Sequence, residues 1–218
     1  MFNLNYEDLY MAILGCADGP ASFNAEMHRC GHHVISCDPI YRSTKKQLNV
    51  QIEHACVEII EQTRKNMNNF VWSSIGSLEE LRDIRFSTMR KFLDDYEEGK
   101  EQGRYVDAEL PILPFDSGAF DIALCSHFLF LYSDRLSLEF HRKSILQLCR
   151  VAYDVRIFPL IDLDLRLSPY VQPIVYCLEE NGFVVSVERI PYEFQRGGNE
   201  MLRIIKDKNK AGCKQARL

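Results

Sequence analysis

An apolar run, Met11 to Leu14, breaks at Gly15-Cys16-Ala17-Asp18-Gly19-Pro20, and about 20 residues later a second apolar run, Val34 to Cys37, ends in Asp38. That pattern leaves few folds open. It describes a strand, a tight loop, a helix and a second strand ending beside the first, the βαβ unit that holds nucleotides. Gly15 and Gly19 let the backbone turn sharply and approach a ligand closely, while Pro20 suits the first helical position, where its missing N–H costs nothing. Asp38 is placed to accept from the hydroxyls of a ribose.

The remaining chain continues the alternation. Gly31 closes the first helix, and a capping box of Thr44 and Gln47 opens a long second helix with Leu48, Ile52, Cys56, Ile59 and Ile60 at helical spacing. Ser77 and Glu80 open a third helix whose periodic face is Leu78, Leu81, Ile84, Arg85, Met89, Phe92, Leu93 and Tyr96. Residues 68–102 exceed what a plain crossover requires. We read them as a helical insertion that caps the site, supports contact between two copies of the chain as a homodimer, or packs on the sheet. A short strand from Arg104, an unbroken apolar strand from Phe120 to Cys125, a helix capped by Asp134, a strand from Val151 to Phe158 and a helix from Pro169 follow. Two closing strands, Phe183 to Ile190 and Met201 to Ile205, form a hairpin. The fold class expected is α/β: a Rossmann-like three-layer sandwich with a mostly parallel seven-stranded sheet ending in an antiparallel hairpin, a single domain over 1–218.

At 218 residues, 46% of them apolar, the chain suits one domain with a full core. A net charge of -5 gives no general attraction to nucleic acid or anionic lipid, so neither a nucleic-acid partner nor a membrane is expected. The basic tail, 207–218, interleaves its charges with polar residues and reads as a solvated, flexible end. With no apolar run long enough for a membrane span, the expected location is cytoplasmic. The eight cysteines are scattered singly, which fits free thiols, and Cys30, His32 and His33 lie on the turn away from the loop, so no metal is expected.

This order of elements resembles the class I S-adenosylmethionine-dependent methyltransferases, over nearly the whole chain. Gly15, Cys16, Ala17, Asp18 and Gly19 correspond to the glycine loop, Asp38 with Pro39 to the ribose acid, and Asp107 and Ala108 to the pair contacting adenine. The run from Leu113 through Phe120, Asp121 and Ser126 matches the strand segment that follows. Two positions depart from the pattern. The acid two residues before the first glycine is Ile13, and the middle glycine is Ala17; Asp18 is the residue left to face the methionine ammonium. The resemblance implies S-adenosyl-L-methionine as cofactor, with S-adenosyl-L-homocysteine as product, and a small-molecule or other non-polymeric acceptor. A binding module that holds the cofactor without turnover, and a partner-binding α/β protein without cofactor, are the alternatives.

Ligands on such a sheet sit over the carboxyl ends of its strands. His127 follows the central strand and suits a general base. Ser126 lines the cofactor, while Tyr132, Asp162, Tyr192, Arg196 and Asn199 are expected around the acceptor. Arg156, inside a strand, requires a partner, for which Asp162 or Asp164 is proposed.

Overall fold

A computed structural model describes residues 1–206; the tail at 207–218 lies outside the described residues. Seven strands form one sheet: β1 (Ile13–Cys16), β2 (Val34–Cys37), β3 (Tyr105–Val106), β4 (Phe120–Ser126), β5 (Ala152–Phe158), β6 (Phe183–Arg189) and β7 (Glu200–Lys206), in the order β3-β2-β1-β4-β5-β7-β6. The first five are parallel, and β7 runs antiparallel between β5 and β6. The order reverses direction between β1 and β4, where crossovers to left and right part and leave a crevice beyond the strand ends.

Strands β1, β2, β4 and β5 are buried on both faces, and their alternation divides the interior in two. Leu14, Cys16, Ala123, Cys125, Val155 and Ile157 face helices α4 (Leu138–Val151) and α5 (Val171–Glu180), which contribute Ile145, Leu148 and Ile174. Ile13, Val34, Ile122 and Leu124 face the opposite way, toward Met27 of α1 (Phe23–Arg29) and the N-terminal residues Phe2, Leu4 and Leu9. Each fully buried Leu or Ile contributes about 1.5–3 kcal/mol by burial alone.

Helices α2 (Lys45–Lys65) and α3 (Leu78–Glu101) form an antiparallel pair between β2 and β3. The Thr44–Gln47 capping box is fully formed. At the start of α3 only half of the expected box exists: Ser77 Oγ accepts from Glu80 N, but the Glu80 carboxylate turns back to Gly76 N at 2.8 Å. The lower part of the pair packs at the β2–β3 edge through Tyr41, Leu48, Ile52, Cys56, Met89, Phe92, Tyr96 and Tyr105. Its far end packs elsewhere. Ile60, Leu78 and Leu81 join Trp72, Ile75 and Phe194, the last from the β6–β7 loop. Helices of 21 and 24 residues span about 32–36 Å, so the pair reaches from the β2–β3 edge to the β6–β7 loop, which itself folds back beside Phe158 at the end of β5. It is a strap over the crevice. Val71 N donates to Phe194 O at 2.8 Å, Arg196 N donates to Asn69 O at 2.9 Å, and Phe70, Trp72 and Phe194 stack at 4.9–6.1 Å.

Three local expectations are corrected. Helix α1 begins at Phe23, because Gly19 (φ 56°) and Pro20 are used in the turn leaving β1. Ser137, not Asp134, caps α4: its Oγ accepts from Phe140 N, while Arg135 N and Leu136 N bond Tyr132 O in a preceding turn. Arg156 pairs with Asp154 at 2.7 Å and Asp8 at 3.0 Å, not with Asp162 or Asp164. Strand alternation puts Asp154 and Arg156 on one face, and Arg203 of β7 joins Asp154 at 2.8 Å. Arg156 also donates to Phe2 O at 3.0 Å, which ties the N-terminal segment to β5.

Candidate functional site

The loop after β1 is built to stay open. A Cβ on Gly15 would overlap the Asp18 carboxylate, so only glycine lets Asp18 fold back over the strand end. A Cβ on Gly19 would meet nothing within 4 Å, and its φ of 56° is left-handed. Ala17 adopts φ 55° where glycine would sit free of strain, at a cost of about 1 kcal/mol. Its N–H donates to Cys37 O at 2.9 Å, which locks the loop to the end of β2.

Both acids of the motif lie at this loop. Asp38 accepts from Gly19 N at 3.0 Å and from Ile40 N at 2.9 Å, one bond on each oxygen, and each oxygen keeps a second lone pair. Burial raises its pKa against these two bonds. Asp18 accepts from Ser36 Oγ at 2.5 Å, yet burial, helped by the nearby Asp38 charge, pushes it up to about 6. The loop therefore gathers two part-buried carboxylates whose charged forms burial disfavours. Tyr41 donates to Gly19 O at 2.7 Å and closes the side.

Beneath the loop runs a polar chain that sequence reasoning missed. Asn24 joins Ser36 at 3.2 Å and receives Arg104 Nη1 at 2.6 Å; Arg104 pairs with Asp95 of α3, and Tyr105 donates to Asp95 at 2.8 Å. Burial works against the Asp95 charge, but the bonds from Arg104 and Tyr105 prevail and lower its pKa. The chain links the Asp18 carboxylate to the base of the strap.

At the end of β4, His127 takes φ 51°, so strained or left-handed residues stand on both sides of the crevice, Ala17 and Gly19 on one and His127 on the other. His127 N donates to Phe158 O at 2.7 Å, and its Nδ1 lies 2.7 Å from Ser126 Oγ. Burial first, and then the Arg85 guanidinium of α3, lower its pKa to about 4. The imidazole is neutral at pH 7. Its ring meets Phe158 edge-on at 5.4 Å, and Phe158 meets Tyr192 at 6.0 Å.

The other expected residues are spread around this centre. Asp107 is exposed at the end of β3, where Arg42 approaches to 3.4 Å; Ala108 is buried and Pro39 opens the turn after Asp38. Tyr132 stacks under Arg135, 5.5 Å from its ring centre. Asp162 Oδ1 accepts from Asp164 N and Arg166 N and shapes the loop after β5. Arg196 donates to Asn68 O and Phe70 O, and Asn199 donates to Glu193, so both brace the hairpin loop against the strap. Arg85, a cation on the periodic face of α3, went unassigned in the sequence. Its Nε is buried without a hydrogen-bond partner.

The strand order, the switch point and the reversed last strand are those of the class I S-adenosylmethionine-dependent methyltransferase fold. Over 209 residues the chain is 33% identical to the uncharacterized protein MJ0045 of Methanocaldococcus jannaschii, covering 94% of this chain and 90% of that protein. The chain belongs to the MJ0045 family. No protein-family model matches it. Solved structures similar to this MJ0045 relative include magnesium protoporphyrin IX methyltransferase of Synechocystis PCC 6803 with bound SAM (12% identity, TM-score 0.48, 92% of this chain and 73% of that one). Two others are the PH0226 protein of Pyrococcus horikoshii OT3 (11%, 0.49, 93% and 84%) and the glycopeptide N-methyltransferase MtfA complexed with S-adenosylhomocysteine (10%, 0.48, 91% and 84%). Among the described residues no helix is long and apolar enough to cross a membrane, and no group of three or more His, Cys, Asp or Glu is placed to hold a metal ion. The seven described cysteines are free thiols.

Proposed function

We propose that the chain transfers a methyl group from S-adenosylmethionine to a non-polymeric acceptor bound under the α2–α3 strap. The observation that carries this is the pair of acids at the glycine loop, Asp18 held by Ser36 Oγ and Asp38 held by Gly19 N and Ile40 N, both with pKa values raised chiefly by burial. A ligand bringing an ammonium to Asp18 and hydroxyls to Asp38 gives both carboxylates partners in place of lost solvent. The residues fit the group: Gly19 leaves open space beside the loop, and Asp38 retains free lone pairs while its two bonds hold it in place. S-adenosylmethionine, when bound, supplies an electrophilic methyl on sulfur.

The protein's share of the chemistry is alignment and, for an acceptor that carries a proton, its removal. His127 is neutral, and in the tautomer that donates Nδ1–H to Ser126 Oγ its Nε2 lone pair is free to take that proton. The test is incubation of the full chain with methyl-labelled S-adenosylmethionine and fractionated small-molecule extracts. Label appearing in a small product, and absent from the same fractions incubated with His127→Ala, supports the reading; no transfer to any fraction counts against it.

A further inference from the structure

Midway along the strap the inward face of α3 is interrupted by a charge. Leu81, four residues before Arg85, packs on Ile60, and Met89, four residues after it, packs against Ile52 and Cys56 of α2. Arg85 is thus carried on a stripe that points into the molecule. Its Nε is buried without a partner, and among the described residues no carboxylate pairs with it. The titratable groups that feel its charge are His127 at the end of β4, Tyr192 in the β6–β7 loop and Cys56 on α2. Burial raises Tyr192 and Cys56 and lowers His127, so all three are neutral at pH 7. Arg85 is part-buried, and its buried Nε, set among neutral groups, lacks the acceptor that an anion would supply.

We propose that Arg85 anchors a single carboxylate of the methyl acceptor, whose flat apolar body lies against the His127, Phe158 and Tyr192 rings. The substrate class depends on the methyl-transfer reading above. Arg85 and, after it, the N-terminal ammonium both act on His127, and the groups that feel Arg85 are neutral, so the charge at this end of the crevice favours an anion. The rings on either side of Phe158 present edges and faces suited to a planar group. Position separates this anchor from the cofactor end. The two acids of the glycine loop lie at β1 and β2, whereas Arg85 is beside the ends of β4 and the hairpin loop.

The test titrates benzoate and benzamide separately into the chain saturated with S-adenosylhomocysteine, followed by calorimetry and by the NMR signals of arginine Nε–H groups. We expect saturable benzoate binding that perturbs one Nε–H signal, missing from Arg85→Gln, and benzamide binding weaker by about tenfold or more. Arg85→Gln should lose the preference for benzoate, leave S-adenosylhomocysteine affinity within about twofold, and melt close to the parent, since no hydrogen bond or ion pair of Arg85 among the described residues is lost. Arg85→Lys should keep the preference. Equal affinity for the two probes, binding of neither, or an unchanged preference in Arg85→Gln overturns the proposal. Loss of S-adenosylhomocysteine binding in Arg85→Gln without a benzoate effect also overturns it, by giving the guanidinium to the cofactor's own carboxylate. If the parent fails to bind S-adenosylhomocysteine, the methyl-transfer reading fails, and the same two titrations on the ligand-free chain decide the Arg85 subsite alone.

Discussion

Replacing Asp18 with Asn should make the protein more stable and its cofactor weaker, with both effects dependent on pH. The side chains are nearly isosteric, and the amide oxygen can still accept from Ser36 Oγ. The charge is what changes. Asp18 titrates at about 6 in the folded chain against an ordinary 3.8, so the folded state binds more protons between those values. Stability from this group is therefore fully present below about pH 3.8 and is lost as pH rises through about 6. At about 1.4 kcal/mol per pH unit, ionised Asp18 costs up to about 3 kcal/mol at pH 8. Asp18→Asn should accordingly equal the parent in denaturant melts at pH 4 and exceed it by about 2–3 kcal/mol at pH 8, about 4–12 °C in Tm. Over the same range calorimetry should show S-adenosylhomocysteine binding weakened by about 10–100-fold at pH 8, through loss of a charge-assisted bond to the ammonium. Equal stability of the two proteins at pH 4 and pH 8 would refute the burial argument. Unchanged cofactor affinity would remove Asp18 from the ammonium site.

Asp38→Ala should weaken S-adenosylhomocysteine by roughly 1–3 kcal/mol, since Gly19 N and Ile40 N lose their acceptor together with the ribose; calorimetry measures it. Ala17→Gly should raise stability by up to about 1 kcal/mol in denaturant melts by relieving a left-handed alanine, with loop entropy offsetting part of the gain. His127→Ala should lower turnover by about 10²–10⁴-fold on an acceptor that loses a proton while sparing cofactor affinity, and the parent rate should hold as pH falls to about 5, because the histidine titrates at about 4. The same depressed pKa makes the neutral His127 contribution to stability complete above about 6.5 and lost as pH falls toward 4, a trend that His127→Gln melts should lack.

The parallel sheet and the strand-end site were legible because their signals are local. The turn at Gly19, the acid closing β2 and the apolar run of β4 each need only neighbours in sequence, and from them Asp38 and His127 fall at strand ends, although the strand expected to break at Gly15 runs through it to Cys16. Partners distant in sequence were not legible. Arg196 reads as a free cation at a glycine-rich rim, yet it holds Asn68 and Phe70, about 130 residues earlier, because the strap lands on the hairpin loop. Arg156 needed Asp8 and Arg203, which only the sheet order brings near; Asp154, two residues away on the same strand face, was readable from alternation. The helices over 45–101 were visible one by one, but their joint span from the β2–β3 edge to the β6–β7 loop depends on how Ile60, Leu81 and Phe194 pack. Arg85 stood in plain view on the apolar stripe of α3, where a cation between Leu81 and Met89 is the signal of something to be paired.

The central claim is that the loop from Gly15 to Gly19 and Asp38 together hold the adenosyl cofactor, and calorimetry of the full chain with S-adenosylhomocysteine tests it most directly. The account predicts saturable binding of one molecule per chain, abolished by Gly19→Val, whose branched side chain would be strained at φ 56° and would fill the open space beside the loop. Absence of binding by the parent at high micromolar ligand, or undiminished binding by a folded Gly19→Val, would contradict it.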